Sequence, residues 1–229
     1  ANFIKNITKN MPDSLQGIKT ILLYPILGLL LVGFIMLLVN VPMSYINNGL
    51  NNFLEGLSGT NAVLLGALLG AMMALDLGGP INKAAYVFGT GTLAATATSG
   101  GSAVMAGVMA AGMVPPLAVF IATVLFKDKF THDERQAGIT NLILGASFIT
   151  EGAIPFAAAD PVRMISSFVV GSAVTSAAIL GFGIKVLAPH GGIFVIFLVS
   201  NPLLYLAFII LGAVISAFMI GFLKKPIHQ

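Results

Sequence analysis

The 229-residue sequence contains no cysteine, which excludes a disulfide framework, a thiolate metal site and a nucleophilic thiol. Charge is also scarce. Asp, Glu, Lys and Arg make up 8% of the chain, against about 25% in an ordinary soluble domain. Segments 20–54, 56–75, 84–126, 164–184 and 186–223 carry no charged side chain at all. What fills them is apolar: 57% of the residues are hydrophobic and the mean hydropathy is +0.99. A bilayer core about 30 Å thick takes roughly 20 helical residues, so most of the chain is long enough to span. The short alternating segments of a barrel are missing. The expected fold is all-α, a polytopic integral membrane protein with about five to seven transmembrane helices plus re-entrant hairpin segments.

The formal charge is +3, and the basic residues gather at Lys5, Lys9 and Lys19, at Lys127, Lys129 and Arg135, and at Lys224 and Lys225. Such spacing reads as membrane topology, with no nucleic-acid partner expected. The sequence begins Ala-Asn-Phe-Ile-Lys and stays polar for about twenty residues, unlike a secretory signal. The expectation is a segment of a longer protein.

Residues 1–19 space apolar side chains helically between lysines, as an amphipathic interfacial helix would. The first helical half covers 20–126. Within it a span from about Thr20 to Tyr45 precedes an Asn-rich loop around 47–52, which has no basic residue and so faces away from the cytoplasm. A second span starts near Asn61, carries Gly66 and Gly70 at small-xxx-small spacing, and breaks at Asp76-Leu-Gly-Gly-Pro80. Segment 84–99 either crosses as a short helix or is re-entrant. A span over about 102–126 and a polar loop over 127–135 follow. Residues 137–163 are interrupted at Gly152 and Pro155 and fit a hairpin. Two last spans, about 164–187 and 193–222 within segment 164–223, are joined at Pro189-His-Gly-Gly192.

Charged groups at membrane depth are costly unless paired or hydrated, so each marks a possible site. One cluster is Asp76, Asn82 and Lys83, around a helix break that frees backbone groups. Its plain alternative is a cytoplasmic loop with a solvated ion pair. A second is Thr150 and Glu151 in Phe148-Ile-Thr-Glu-Gly-Ala-Ile-Pro-Phe156, where a carboxylate at a hairpin tip can accept hydrogen bonds from hydroxyls. Glu151 could instead pair with Lys83 or Arg163. His190 could bind a substrate or a proton, or occupy an exposed turn. Asp160 and Arg163 read as a helix start with an i, i+3 pair, Lys185 as a snorkelling lysine, and Met105, Met109 and Met113 as core. No metal site is expected. Gly89-Thr-Gly91-Thr-Leu-Ala94 lacks the βαβ context of a dinucleotide site, no Walker A string occurs, and His132, Asp133 and Glu134 read as a solvated loop.

Asp76-Leu-Gly-Gly-Pro-Ile-Asn-Lys-Ala-Ala85, Ile149-Thr-Glu-Gly-Ala-Ile-Pro-Phe-Ala-Ala-Ala-Asp-Pro161 and Pro189-His-Gly-Gly192 resemble signature segments of the fructose-specific enzyme IIC of the bacterial phosphoenolpyruvate-dependent sugar phosphotransferase system. The resemblance covers essentially the whole chain, as one membrane permease domain over 1–229 that lacks the family's first spans. It implies a permease for fructose or a related hexose, coupled to phosphorylation. The phosphoryl group would come from phosphoenolpyruvate through a IIA histidine and a IIB phosphocysteine, giving fructose 1-phosphate. Thr150 and Glu151 match the family's hydroxyl-binding motif. The chemistry of the residues gives Asp76, Asn82, Lys83, Thr150, Glu151 and His190 as the expected substrate-binding residues and Glu151 or Asp76 as the expected catalytic base. The resemblance further implies IIA and IIB partner domains, a homodimer in the full-length protein and the bacterial cytoplasmic membrane as location, and no cofactor is expected. Composition and helix breaks alone fit equally an ion-coupled secondary transporter for a small polar solute, with Asp76, Glu151 and Asp160 binding protons or sodium.

Overall fold

The computed structural model describes residues 22–57 and 61–226, so the expected interfacial helix over 1–19 lies outside them. Two units, 1–50 and 51–229, are taken separately. Helix α1, Tyr24–Leu57, runs through the Asn-rich stretch, which the sequence reading places in a loop. Asparagine is a poor but tolerated helix former, costing tenths of a kcal/mol per residue, and the stretch contains no proline to stop the helix. Leu29, Leu30, Phe34 and Leu37 are exposed in unit 1–50, as suits a lipid-facing helix.

In the second unit the helices are α2 (Ala62–Leu75), α3 (Pro80–Thr96), α4 (Ala103–Leu125), α5 (His132–Ala146), α6 (Ile154–Ala159), α7 (Pro161–Gly181) and α8 (Pro202–Leu223). Among the described residues, α4, α7 and α8 are long and apolar enough to cross a membrane, and β-structure is limited to two isolated bridges. Side chains start these helices where the sequence supplies a cap. Asn61 accepts from the Leu64 amide, Ser102 from Met105 and Asn201 from Leu204.

Small residues set the packing and reveal the direction of each helix. A Cβ on Gly66 would strike Ser176 and Ala177, and one on Gly70 would strike Ser172 and Ala173, so α2 runs antiparallel to α7. Gly171 abuts Ser216 and Gly212 while the Thr175 hydroxyl donates to the Phe208 carbonyl, so α8 also opposes α7. The Ser172 hydroxyl donates to Ala111, and Gly107 packs on Ser176 and Leu180. Helix α4 is therefore parallel to α2 and α8. Without a hydrophobic drive between helices in lipid, such close backbone approach supplies the packing energy.

These pairings also give depth. Gly70, Ala111 and Ser172 share a level, yet α2 ends five residues later, whereas α4 continues to Leu125. At 1.5 Å per residue, α2 is about 21 Å long and α4 about 34 Å. The chain then turns back, because Gly89 meets Met105 and Val108, and Thr92 shares a hydrogen bond with Ser102. Helices α2 and α3 thus form a re-entrant hairpin with its tip at 76–80, which resolves the open question of 84–99. Helix α5 enters from the opposite end, with Gly138 on Thr123 and Gly145 on Leu117, and stops at Ala146. A 3₁₀ turn, Thr150–Ala153, and α6 carry the chain back until Phe156 meets Phe130 at 6.3 Å. A third re-entrant segment leaves the first end at Val186, which bridges Ser102 and Val199. It reaches Ala146 and Phe148 at Gly192 before returning. The α-helix of the last span starts at Pro202, not at 193, because Gly192–Leu198 is a 3₁₀ segment interrupted at Val195 and followed by extended backbone at Val199.

At the far end the Lys129 ammonium donates to the Gly221 and Lys224 carbonyls, and Lys224 lies 3.7 Å from Glu134. The middle and C-terminal basic clusters therefore share one side. The supposed loop around His132 is the first turn of α5, closed by a Thr131–Glu134 capping box. That spacing, Thr followed three residues later by Glu, satisfies two free helix-end donors.

Candidate functional site

The three re-entrant tips meet at one cavity of about 250 Å³. The first hairpin contributes Met73, Asn82, Lys83 and Tyr86, the second Phe148, Thr150 and Glu151, and the third segment His190. Irregular backbone at membrane depth is tolerated where it lines such a cavity.

Asp76 explains how the first tip is built. Its two carboxylate oxygens accept from the amides of Ile81 at 2.8 Å and Asn82 at 2.9 Å, holding the start of α3, where Pro80 leaves one fewer amide to satisfy. Asp76 itself does not line the cavity. It orients Asn82, which does, and fixes the start of the helix that carries Lys83. The Asn82 amide nitrogen donates to the Met73 carbonyl at 2.6 Å, leaving its oxygen available to a ligand. Gly78 adopts φ +116°, and a Cβ there would lie 2.7 Å from a Glu151 oxygen. The opposed tips touch because this residue has no side chain.

Glu151 is the counterpart on the second hairpin. Its Oε1 lies 3.5 Å from Lys83 Nζ, with both side chains about half exposed to the cavity. Of the two partners left open for it, Lys83 is the one engaged, because Arg163 bonds Asp160 at 2.9 Å. Asp160 sits at the N-cap of α7 without a side-chain cap bond. Thr150 is buried and its hydroxyl donates to the Gly112 carbonyl at 2.8 Å, so it has only lone pairs to offer a substrate. His190 packs on Phe148, ring centroids 4.8 Å apart. Lys185, also read as an interfacial lysine, reaches the Ser99 carbonyl at 3.3 Å, and Met105, Met109 and Met113 are buried core.

Five of the six expected site residues, Asn82, Lys83, Thr150, Glu151 and His190, thus line one space. Tyr86 escaped the sequence reading, although it lies one turn after Asn82 and hence on its face. Phe148 was legible only as part of a motif string. Among the described residues no cluster of His, Asp and Glu could hold a metal ion. A cavity offering a carboxylate, an ammonium, an amide, an imidazole and aromatic rings can bind a small, neutral, hydroxyl-rich molecule.

Comparison with known proteins gives the family. The family model described as phosphotransferase system, EIIC, matches residues 1–171. The fructose permease IIC component of Bacillus amyloliquefaciens is 46% identical over 99% of this chain and 73% of its own length. The PTS system fructose-specific EIIABC component of Bacillus subtilis (strain 168) is 48% identical over 99% of this chain. The fructose-specific EIIB'BC component of Escherichia coli (strain K12) is 46% identical over 94%. This chain spans 35% of the EIIABC relative and 38% of the EIIB'BC relative. No solved structure matches. The chain is a membrane protein that belongs to the EIIC family of the phosphotransferase system.

Proposed function

We propose that the chain is the sugar-translocating part of a fructose permease whose transport is coupled to phosphorylation by a IIB phosphocysteine. The observation that carries the proposal is the convergence of Glu151, Lys83, Asn82, Thr150 and His190 from three opposed re-entrant tips on one cavity of about 250 Å³. The names of its relatives supply the sugar and the partner domains.

A sugar hydroxyl donates to Glu151, while Lys83 balances the carboxylate and the lone pairs of Thr150 and Asn82 accept further hydroxyls. For transfer, the 1-hydroxyl oxygen attacks the phosphorus of the phosphocysteine. An O–P bond forms, the S–P bond breaks, the hydroxyl proton passes to Glu151 and the cysteine leaves as thiolate. Asp76 serves by holding the Asn82–Lys83 turn. The hairpin bearing Glu151 enters from the end with Lys127, Lys129 and Lys224, which the positive-inside rule assigns to the cytoplasm. That is where a IIB domain and its IIA donor would stand, with the bacterial inner membrane as location and a homodimer as the full-length assembly. The reading predicts a fructose phosphotransferase whose phosphoryl-bearing residues lie on those partners.

The test is uptake of labelled fructose in cells without their own fructose permease, supplied with the full-length protein and its carriers. Fructose 1-phosphate should accumulate, require the carriers and be lost in Glu151→Gln. Uptake that survives without carriers and collapses with an uncoupler would instead establish a gradient-driven transporter.

A further inference from the structure

Each of the three re-entrant tips contributes one ring to the cavity: Tyr86 from α3, Phe148 from the second hairpin and His190 from the third segment. The ring centroids lie 6.3 Å apart for Tyr86 and Phe148, 6.4 Å for Tyr86 and His190, and 4.8 Å for Phe148 and His190. Every pair is tilted or edge-on, at 39°, 71° and 42°, so the rings pack on one another as a single aromatic cluster on the cavity wall.

Phe148 holds its place against a backbone cost. Its φ is +62°, a conformation in which a bulky side chain is an outlier costing on the order of a kcal/mol. Glycine or asparagine would adopt it freely. The surroundings enforce the strain: the ring fills the space over Gly112, which any Cβ would close, and Gly192 passes against the Phe148 amide. The ring is only 5% exposed, so packing holds the strained backbone, and Phe148 backs Tyr86 and His190 at the cavity wall. The polar groups described above account for a sugar's hydroxyls but not for its apolar C–H face.

Resting on the fructose-permease reading, we propose that Tyr86, Phe148 and His190 form an aromatic nest that receives the C–H face of a cyclic monosaccharide, with Tyr86 as a specificity-determining residue. A closed ring presents C–H groups fixed on one face, and aromatic faces attract them. An open-chain hexitol carries at least as many hydroxyls but no fixed apolar face, so the nest favours ring sugars over polyols. Hydrogen bonding to Glu151 and Thr150 alone would not make that distinction.

Binding of labelled fructose to the purified full-length protein, with D-mannitol as competitor, tests this in wild type, Tyr86→Phe and Tyr86→Leu. Wild type and Tyr86→Phe should prefer fructose. Tyr86→Leu should lose about tenfold in fructose affinity with mannitol competition unchanged, so that the preference shrinks. A thermal melt equal to wild type would show that Tyr86→Leu is folded. If it is not, His190→Leu, at an exposed position of the same cavity wall, takes its place, with the same expectation. The nest is overturned if the leucine variant keeps the wild-type preference, if both ligands weaken equally, or if wild type binds mannitol as tightly as fructose. Absence of fructose binding in wild type would sink the permease reading itself, an outcome distinct from all of these.

Discussion

Glu151 and Asp76 are both acids at helix breaks, and their neighbours give them different work. Glu151 faces the cavity with Lys83 beside it, so Glu151→Gln keeps the shape and removes the proton acceptor. Carrier-dependent phosphorylation should fall by about 10²-fold or more, measured as fructose 1-phosphate formed, with little change in the melting temperature. Asp76 spends its oxygens on two backbone amides. Asp76→Ala removes both acceptors and should cost about 1–2 kcal/mol of stability, read as a lowered thermal midpoint, while Asp76→Asn, which keeps one acceptor oxygen, should lose less. If Asp76→Asn melts like wild type yet abolishes phosphorylation, Asp76 acts on the substrate directly.

At the scale of elements, helix ends decide the geometry. The Thr131 hydroxyl and the Glu134 carboxylate close the start of α5 reciprocally, so Thr131→Ala should destabilise by about 1 kcal/mol in a thermal melt and leave sugar binding unchanged. The tip at Gly78 behaves differently. Its φ of +116° and its contact with Glu151 leave no room for a methyl group. Gly78→Ala should therefore displace the carboxylate from Lys83 and reduce fructose binding, as measured by titration, far more than an alanine on an open helix face.

Across the whole molecule, close helix approach holds the crossing helices together, and it can be tested by contrast. Gly70 lies against the Ser172 backbone, whereas Gly91 has nothing within 4 Å of a Cβ. Gly70→Leu should separate α2 from α7 and destabilise by more than about 2 kcal/mol, visible as loss of a monodisperse, foldable protein. Gly91→Ala should stabilise by about 0.5–1 kcal/mol through helix propensity, seen as a higher melting temperature. Large exposed side chains such as Phe197, Leu203 and Phe222 need no protein partner, because lipid is as apolar as they are.

Charge-free apolar runs and the breaks at Asp76–Pro80, Gly152 and Pro189–Gly192 were enough to identify a helical membrane protein and its acidic tips, because bilayer thickness and backbone chemistry act locally. The capping box at Thr131 is legible too, in a stretch whose charge density reads equally as a solvated loop. The helical state of the Asn-rich stretch was not, since weak propensities leave such a segment undecided. Pairing lay beyond sequence pattern altogether. That Glu151 meets Lys83 and not Arg163, that Asp76 turns to its own backbone, and that Tyr86 and Phe148 join His190 each depend on contacts between residues distant along the chain. Those contacts exist because glycines at 70, 112 and 78 let backbones and tips approach. Composition and local breaks thus determined the solvent and marked the breaks, while only tertiary packing decided which segments turn back, which tips meet and what chemistry they share.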